Sequence, residues 1–345
     1  TVRAHGGLHR FMGGYEGPLI TDSGGFQVYS MRQDAVSSPN ELKGGRALPK
    51  KLQANVASAA EISSTSGEPH GVHLARVLGG VLHLNEVGVV FRSYRDGSRQ
   101  SLTPESTVAV QRDLGADIVV PLDELPANHT GPQELELMLH RTHRWQARSL
   151  RYFLEHPPVH HHPVTGVPFY QAMYGIVHGG TDLRLRRLSA DYLTRLPFDG
   201  FAIGGALGAT RAEMLTLLTP IVKSLPAELP RHLLGIGDPE SLQQVFMHGI
   251  DTCDSSYPTR AARHGSVYTL NGGVIKLRST RYSRETGPID PACDCSTCKH
   301  YSVGYLHHLL KANESAFIPL VTLHNLRVLQ RRVALIREQI LRDEI

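Results

Sequence analysis

The chain has 345 residues, 41% hydrophobic and 20% charged, with a formal net charge of +4. That is enough apolar material for one large core or for one with an inserted subdomain, and too mild a positive balance to demand a nucleic-acid partner by itself. No run of about 18 apolar residues occurs, and the opening TVRAHGGLHRFMGG has no charged region followed by an apolar stretch, so neither a membrane-spanning helix nor a signal peptide is supported.

Apolar runs ending in small or polar residues recur along the chain, each followed by a helix-like stretch. They are PLITDSGG (18–25), ADIVVPLDE (116–124), PFYQAMYGIVHGG (168–180), GFAIGGALG (200–208), HLLGIGD (232–238) and GIDTCDSS (249–256). Near-continuous apolar strands alternating with helices predict a parallel sheet covered by helices, either doubly wound or a (β/α)8 barrel. In both, chemistry gathers at the carboxyl ends of the strands, which here carry Asp22, Asp123, His178, Gly204, Gly205 and Asp254. Polar and glycine-rich endings on every strand favour the closed ring. Between the strands, 132–156 has helical spacing, and DPESLQQVFMHG opens with Asp238 as N-cap and Pro239 at the first helical position.

Residues 32–80 lack a sustained period and read as a mobile surface insertion without catalytic residues. The histidine cluster of HPPVHHHPVTG (156–166) has flanking prolines and no carboxylate or cysteine, so it reads as a solvated loop. SVYTLNGGVIKLR (266–278) predicts a hairpin around Asn271 and Gly272. Arg260 and Arg263, followed by Lys276, Arg278, Arg281 and Arg284, form either a phosphate-contacting stretch or a solvated basic hairpin. Leu326, Leu329, Val333, Ile336 and Ile340, at steps of three and four, predict a final amphipathic helix that packs on the chain's own core or on another subunit.

All four cysteines lie in the last third, which indicates metal binding in a reducing compartment better than a disulfide framework. Cys293, Cys295 and Cys298 with His324 supply three thiolates and one imidazole, a closed tetrahedral zinc set with no position for water and therefore structural. His300, His307 and His308 are nearer, but His324 has the separation that lets a chain leave and return. Cys253, beside Asp254, reads as a small buried strand residue.

The chain resembles the tRNA-guanine transglycosylases, which exchange an encoded guanine in tRNA for a modified base. The matching pieces, in family order, are GGLHRFMG, LITDSGGFQVYS, VVFRSYRDGS, LTPE, ADIVVPLDE, GIVHGG, GFAIGG, LLGIGDPESL, GIDTCDSSYPTRAARHG, GPIDPACDCSTC and the His324–Asn325 pair. The resemblance implies an α/β fold, a (β/α)8 TIM barrel, here without its N-terminal strand segment, with an inserted C-terminal zinc subdomain. It divides the chain into a barrel over 1–265, a hairpin and zinc subdomain over 266–325 and a helix over 326–345. The short beginning and missing initiator Met lead us to expect a fragment or processed form with doubtful activity alone.

Base replacement at a ribose C1′ passes through an oxocarbenium-like state that a carboxylate can capture as an ester. The resemblance assigns this nucleophile to Asp254, in preference to Asp251, and the general acid/base to Asp22. It implies that Asp123, His178 and Gly205 contact the base and that Phe26 and Leu234 sandwich it. On sequence alone, Asp22 and Asp123 would equally serve as helix N-caps, and Phe26 and Leu234 as core. His178 stands where the family usually has Gln, and Thr210 where it commonly has Glu. Leu125 and Gly208 lean toward the eukaryotic type, which takes queuine directly. The implied partners are tRNA with a G34 anticodon, queuine or a related 7-deazaguanine, one Zn2+, and a homologous subunit in a homo- or heterodimer. The implied setting is cytoplasmic, with peripheral attachment to mitochondria as a variant. A non-catalytic partner subunit is the rival reading, and a zinc hydrolase conflicts with the closed ligand set.

Overall fold

The computed structural model describes residues 1–30, 80–93, 96–127, 130–157, 166 and 170–344. The insertion expected at 32–80 and the histidine-rich loop lie, apart from their ends, outside the described residues. Two compact units divide the chain: Thr1–Gly208 with Lys223–Leu229, and Ala209–Val222 with Pro230–Ile345.

In the first unit, α1 (Leu8–Phe11), β1 (Ile20–Thr21) and α2 (Gly25–Ser30) precede an antiparallel sheet of β2 (Val81–Leu84), β3 (Val89–Arg92) and β4 (Arg99–Leu102). Then follow α3 (Pro104–Leu114), β5 (Ile118–Val119), α4 (Pro132–Glu155), β6 (Ala172–Val177), α5 (Leu183–Leu193) and β7 (Gly200–Ile203). Strands β1, β5, β6 and β7 pair in parallel in that order. Each parallel strand lies in one of the apolar runs read from the sequence. Met173, Ile176, Val177, Ala202 and Ile203 are fully buried, as a strand covered on both faces requires, and each large aliphatic contributes about 1.5–3 kcal/mol through burial.

The helices start where local chemistry dictates. Helix α3 opens on a Thr103–Ser106 capping box with Pro104 in the first turn, and stops at Gly115 in the left-handed conformation (φ 67°). Asp182 caps α5 by accepting the Arg184 and Leu185 N–H groups. Helix α4 turns one face inward, burying Met138, Leu139, Trp145, Leu150 and Phe153.

The second unit runs α6 (Arg211–Lys223, its last residue grouped with the first unit), β8 (Arg231–Leu233), α7 (Pro239–Met247), β9 (Thr252–Cys253) and α8 (Tyr257–Arg263). Strand β8 pairs in parallel with β9, and Asp238 caps α7 through the Ser241 N–H, as the sequence predicts. The expected hairpin is β10 (Ser266–Tyr268) against β11 (Val274–Lys276), with Gly272 at φ 89° in its loop. Helices α9 (Ser296–His300), α10 (Val303–Ala312) and α11 (Phe317–Leu341) complete the unit. Their core gathers Val267, Leu277, Leu306, Leu310, Phe317 and Val321.

The last helix corrects the sequence reading. It begins at Phe317 rather than at 326, and its buried face is Phe317, Val321, His324, Asn325, Val328 and Ile336. Leu326, Val333 and Ile340, expected to pack on the chain's own core or on another subunit, are exposed. Two polar residues occupy the inner face because a ligand set and a hydrogen-bond clasp, described below, bury them.

Candidate functional site

In the first unit the sequence-selected residues stand just past the carboxyl ends of their strands: Asp22 after β1, Asp123 after β5, His178 after β6 and Gly205 after β7. Asp123 and His178 are buried together, with the His178 Nε2–H donating to Asp123 Oδ2 at 2.7 Å. The other carboxylate oxygen accepts the Ser23 hydroxyl at 3.3 Å, and the Ser23 N–H donates to Asp22 Oδ1 at 2.8 Å. Asp22, Asp123 and His178 are therefore joined through one serine. Asp22 is exposed and Asp123 is not.

Gly25 makes this arrangement possible, since a Cβ there would lie 2.2 Å from Asp123 Oδ1. On the far side of the imidazole, His178 Nδ1 is buried without a hydrogen-bond partner among the described residues. It faces Gly205, where an added Cβ would meet it at 3.3 Å. Gly205 itself holds a left-handed backbone at φ 77°, the conformation that a glycine adopts without strain.

One residue of this site was not visible in the sequence. Arg186 of α5 is fully buried and donates to the carbonyls of Val177, Gly180, Gly204 and Ala206 at 2.7–2.9 Å. It thus ties the ends of β6 and β7, the segments that carry His178 and Gly205. Burial pulls its pKa down to about 9, still above neutrality, so the clamp stays cationic. A lone arginine on a helix reads as surface, and only the contacts reveal otherwise.

In the second unit, Asp254 follows β9, and its side chain is 58% exposed. Its Oδ1 accepts the Gly235 N–H at 2.9 Å and the His232 Nε2–H at 3.3 Å. Partial desolvation pushes the carboxyl up, but the hydrogen bonds from His232 and from the Gly235 N–H outweigh it and hold Asp254 below the ordinary carboxylate range. Asp251, the competing carboxylate, instead accepts the Arg231 N–H at 2.8 Å at the start of the strand. Leu234 is half-buried, next to Gly235 (φ 75°). In the first unit, Phe26 is 58% exposed on α2, which is unlike the core residue its type suggests.

The metal set comes together as expected. The ligand atoms of Cys293, Cys295, Cys298 and His324 all lie within 4.8 Å of one another. His324 Nδ1 is 3.2 Å from Cys298 Sγ and 3.6 Å from Cys295 Sγ, close to the edge of about 3.5–3.8 Å that a tetrahedron with zinc-like bond lengths requires. The His324 Nε2–H donates to the Tyr268 carbonyl at 2.7 Å, which fixes the tautomer and turns the Nδ1 lone pair toward the thiols. The donors therefore fit a tetrahedral cation. Without its charge, burial pushes the Cys298 thiol up to about 12 and raises Cys293 as well. His307, the nearer histidine, faces away, with Nδ1 2.6 Å from the Leu277 carbonyl.

Asn325, next to the ligand, is fully buried and accepts the Tyr268 N–H at 3.0 Å. It donates to the Pro258 and Ser266 carbonyls at 3.1 Å. The His324–Asn325 pair thus couples α11 to β10 and to α8. Helix α8 presents Arg260 and Arg263 to solvent, and β11 and the residue two beyond it present Lys276 and Arg278. Among the described residues none of these four is in an ion pair, and Arg260 lies over the Tyr257 ring at 5.5 Å.

Parallel βα units with carboxylates and glycines at their strand ends, in a chain that also carries a Cys3His set able to hold a metal, define a TIM-like α/β fold of the kind enzymes use. A family model described as "Queuine tRNA-ribosyltransferase" matches residues 50–345. The whole chain is 44% identical, over 344 residues, to the Queuine tRNA-ribosyltransferase of Protochlamydia amoebophila, of which it covers 78%. It is 39% and 40% identical to the proteins of that name from Chlamydia muridarum and Chlamydia trachomatis, covering 82% of each. The chain belongs to the queuine tRNA-ribosyltransferase family, a family of pentosyltransferases. No helix of the described residues is long and apolar enough to cross a membrane.

Proposed function

We propose that this chain exchanges the wobble guanine, anticodon position 34, of target tRNAs for queuine or a related 7-deazaguanine through a covalent enzyme–RNA intermediate. The observation that carries the reading is Asp254: exposed at a strand end, and kept ionised by a backbone N–H and an imidazole on Oδ1. Its other oxygen attacks the ribose C1′ as the C1′–N9 bond breaks. The departing guanine takes its proton from Asp22. The incoming base returns a proton to Asp22 and attacks C1′, which breaks the ester and restores Asp254.

Asp123, His178 and Gly205 hold the base edge, and Phe26 and Leu234 supply its stacking faces. Arg260, Arg263, Lys276 and Arg278, exposed and free of ion pairs among the described residues, contact phosphates. The ion held by Cys293, Cys295, Cys298 and His324 is zinc. It supplies no open coordination position and serves only to order the chain around it. The reaction runs in the cytoplasm, with a homologous subunit as partner.

The test incubates the full chain with a G34 tRNA and 9-deazaguanine as an inert occupant of the base site, followed by denaturing electrophoresis. A covalent complex that Asp254→Asn abolishes is expected. A complex that persists in Asp254→Asn, or none with the parent chain, overturns the assignment. The rival, a non-catalytic partner subunit, would have had no need to keep both Asp22 and Asp254. It would be favoured by exchange that survives mutation here and is lost on mutating a co-purifying homologue. Parallel exchange assays with guanine, queuine and the smaller precursor base identify the base incorporated.

A further inference from the structure

The register of β8 and β9 sets His232 opposite Thr252 and Leu233 opposite Cys253. Side chains alternate along a strand, so Thr252 and Asp254 share the face on which His232 stands, while Cys253 points away. His232 is buried, and both ring nitrogens are engaged: Nδ1 lies 2.9 Å from the Thr252 hydroxyl and Nε2 3.3 Å from Asp254 Oδ1. Only one proton placement makes both contacts attractive for a neutral ring. Nε2–H must donate to the carboxylate, and the Nδ1 lone pair must accept the Thr252 O–H.

We propose that Thr252 and His232 form a relay that positions the nucleophile: the hydroxyl fixes the imidazole tautomer, and the imidazole and the Gly235 N–H together hold Oδ1 so that Oδ2 is the oxygen presented to the ribose. This rests on Asp254 being the nucleophile. His232 is a positioning residue; it touches neither base nor ribose and acts through Asp254. A buried donor on one oxygen restricts rotation of the carboxylate before the reaction, so less orientation is lost in reaching the transition state.

The relay also sets the pH range in which the nucleophile is ionised. Among groups of this unit near the carboxylate, Cys253 remains neutral, because burial, with Asp254 and Asp238, pushes its thiol up to about 11. Asp238 caps α7 and is paired with Arg211 at 3.3 Å. His232 is therefore the side chain that holds Asp254 down. Its removal lets the carboxyl rise, so the acid limb of the rate profile moves to higher pH.

The experiment measures the single-turnover rate of covalent complex formation with G34 tRNA as a function of pH, together with tRNA affinity. In His232→Phe we expect the rate to fall about 10–100-fold, the loss of one hydrogen bond to a charged group, with the acid limb displaced upward and tRNA affinity kept within about twofold. His232→Gln, which retains a donor, should recover most of the rate. Thr252→Val, at an exposed position, should lose less, in the same direction. A parental rate and parental limb in His232→Phe overturn the proposal; if that variant does not fold, an unchanged profile in Thr252→Val does so. Asp254→Asn separates the two claims. Covalent complex in that variant removes the nucleophile assignment itself, whereas its absence together with an unperturbed His232→Phe removes only the relay.

Discussion

Gly25→Ala is the sharpest test of the proposal that Asp123 holds the base edge. The new methyl would lie 2.2 Å from Asp123 Oδ1 and 2.9 Å from the Asp123 carbonyl oxygen. Real Cβ contacts essentially never fall under 3.0 Å, so the carboxyl group or the α2 backbone must move by about 0.8 Å. The backbone oxygen blocks one direction, so the side chain takes most of the displacement. That takes the 3.3 Å bond from Ser23 out of hydrogen-bonding range and lengthens the 2.7 Å bond from His178 toward its outer limit. Overpacking costs about 1–3 kcal/mol and loss of the Ser23 bond with weakening of the His178 bond about 1–2 kcal/mol; partial relaxation brings the expected loss of stability to about 2–4 kcal/mol. Urea unfolding reads this directly. In base exchange, KM for the free base should rise at least tenfold while tRNA affinity changes little, because Arg260, Arg263, Lys276 and Arg278, the proposed phosphate contacts, lie in the other unit. A Gly25→Ala protein with parental KM for the base would refute the idea that Asp123 is poised there by this close approach.

Other perturbations have equally definite outcomes. Arg186→Met removes the side-chain donor from four carbonyls, of which Val177 keeps the Gly204 N–H, and should cost about 3 kcal/mol or more in urea unfolding. Arg186→Lys should recover only part of this, since one ammonium cannot span the fork. Burial holds His143 down to about 4 against a usual 6.5. The unfolded chain therefore binds the extra proton between those values, and stability falls by about 3 kcal/mol as pH drops from 6.5 to 4. Urea midpoints at several pH values should show this slope in the parent and lose it in His143→Phe. Stripping the metal with a chelator, or Cys298→Ser, should release one equivalent of zinc by elemental analysis and lower the melting temperature, and re-addition of zinc should restore it only in the parent chain.

The parallel strands were legible because strands buried on both faces write themselves as continuous apolar runs ending in polar residues, as in AMYGIVHGG and GFAIGG. The metal set was legible because three thiols within six residues have few other uses. The antiparallel strands β2 to β4 were not, since Arg99, Gln100 and Ser101 are exposed and leave no alternation to detect. The last helix was misplaced because hydrophobic periodicity cannot register His324 and Asn325, which are buried by coordination geometry and by hydrogen bonding. His232 and Arg186 escaped for a related reason. Each acquires its meaning from a partner distant in sequence: Asp254 for the first, and the Gly204 and Ala206 carbonyls for the second.

The clasp made by Asn325 gives the metal centre a reach beyond its own ligands. One turn of α11 carries both the imidazole of the metal set and the amide that holds Pro258 and Ser266, so loss of the cation should loosen the helix bearing Arg260 and Arg263. Asp123, His178 and Gly205, the proposed contacts to the base edge, do not belong to that chain of contacts. Scarcity of the cation should thus act as a throttle on RNA capture while leaving discrimination among bases untouched: fewer tRNA molecules would be modified, but not with the wrong base.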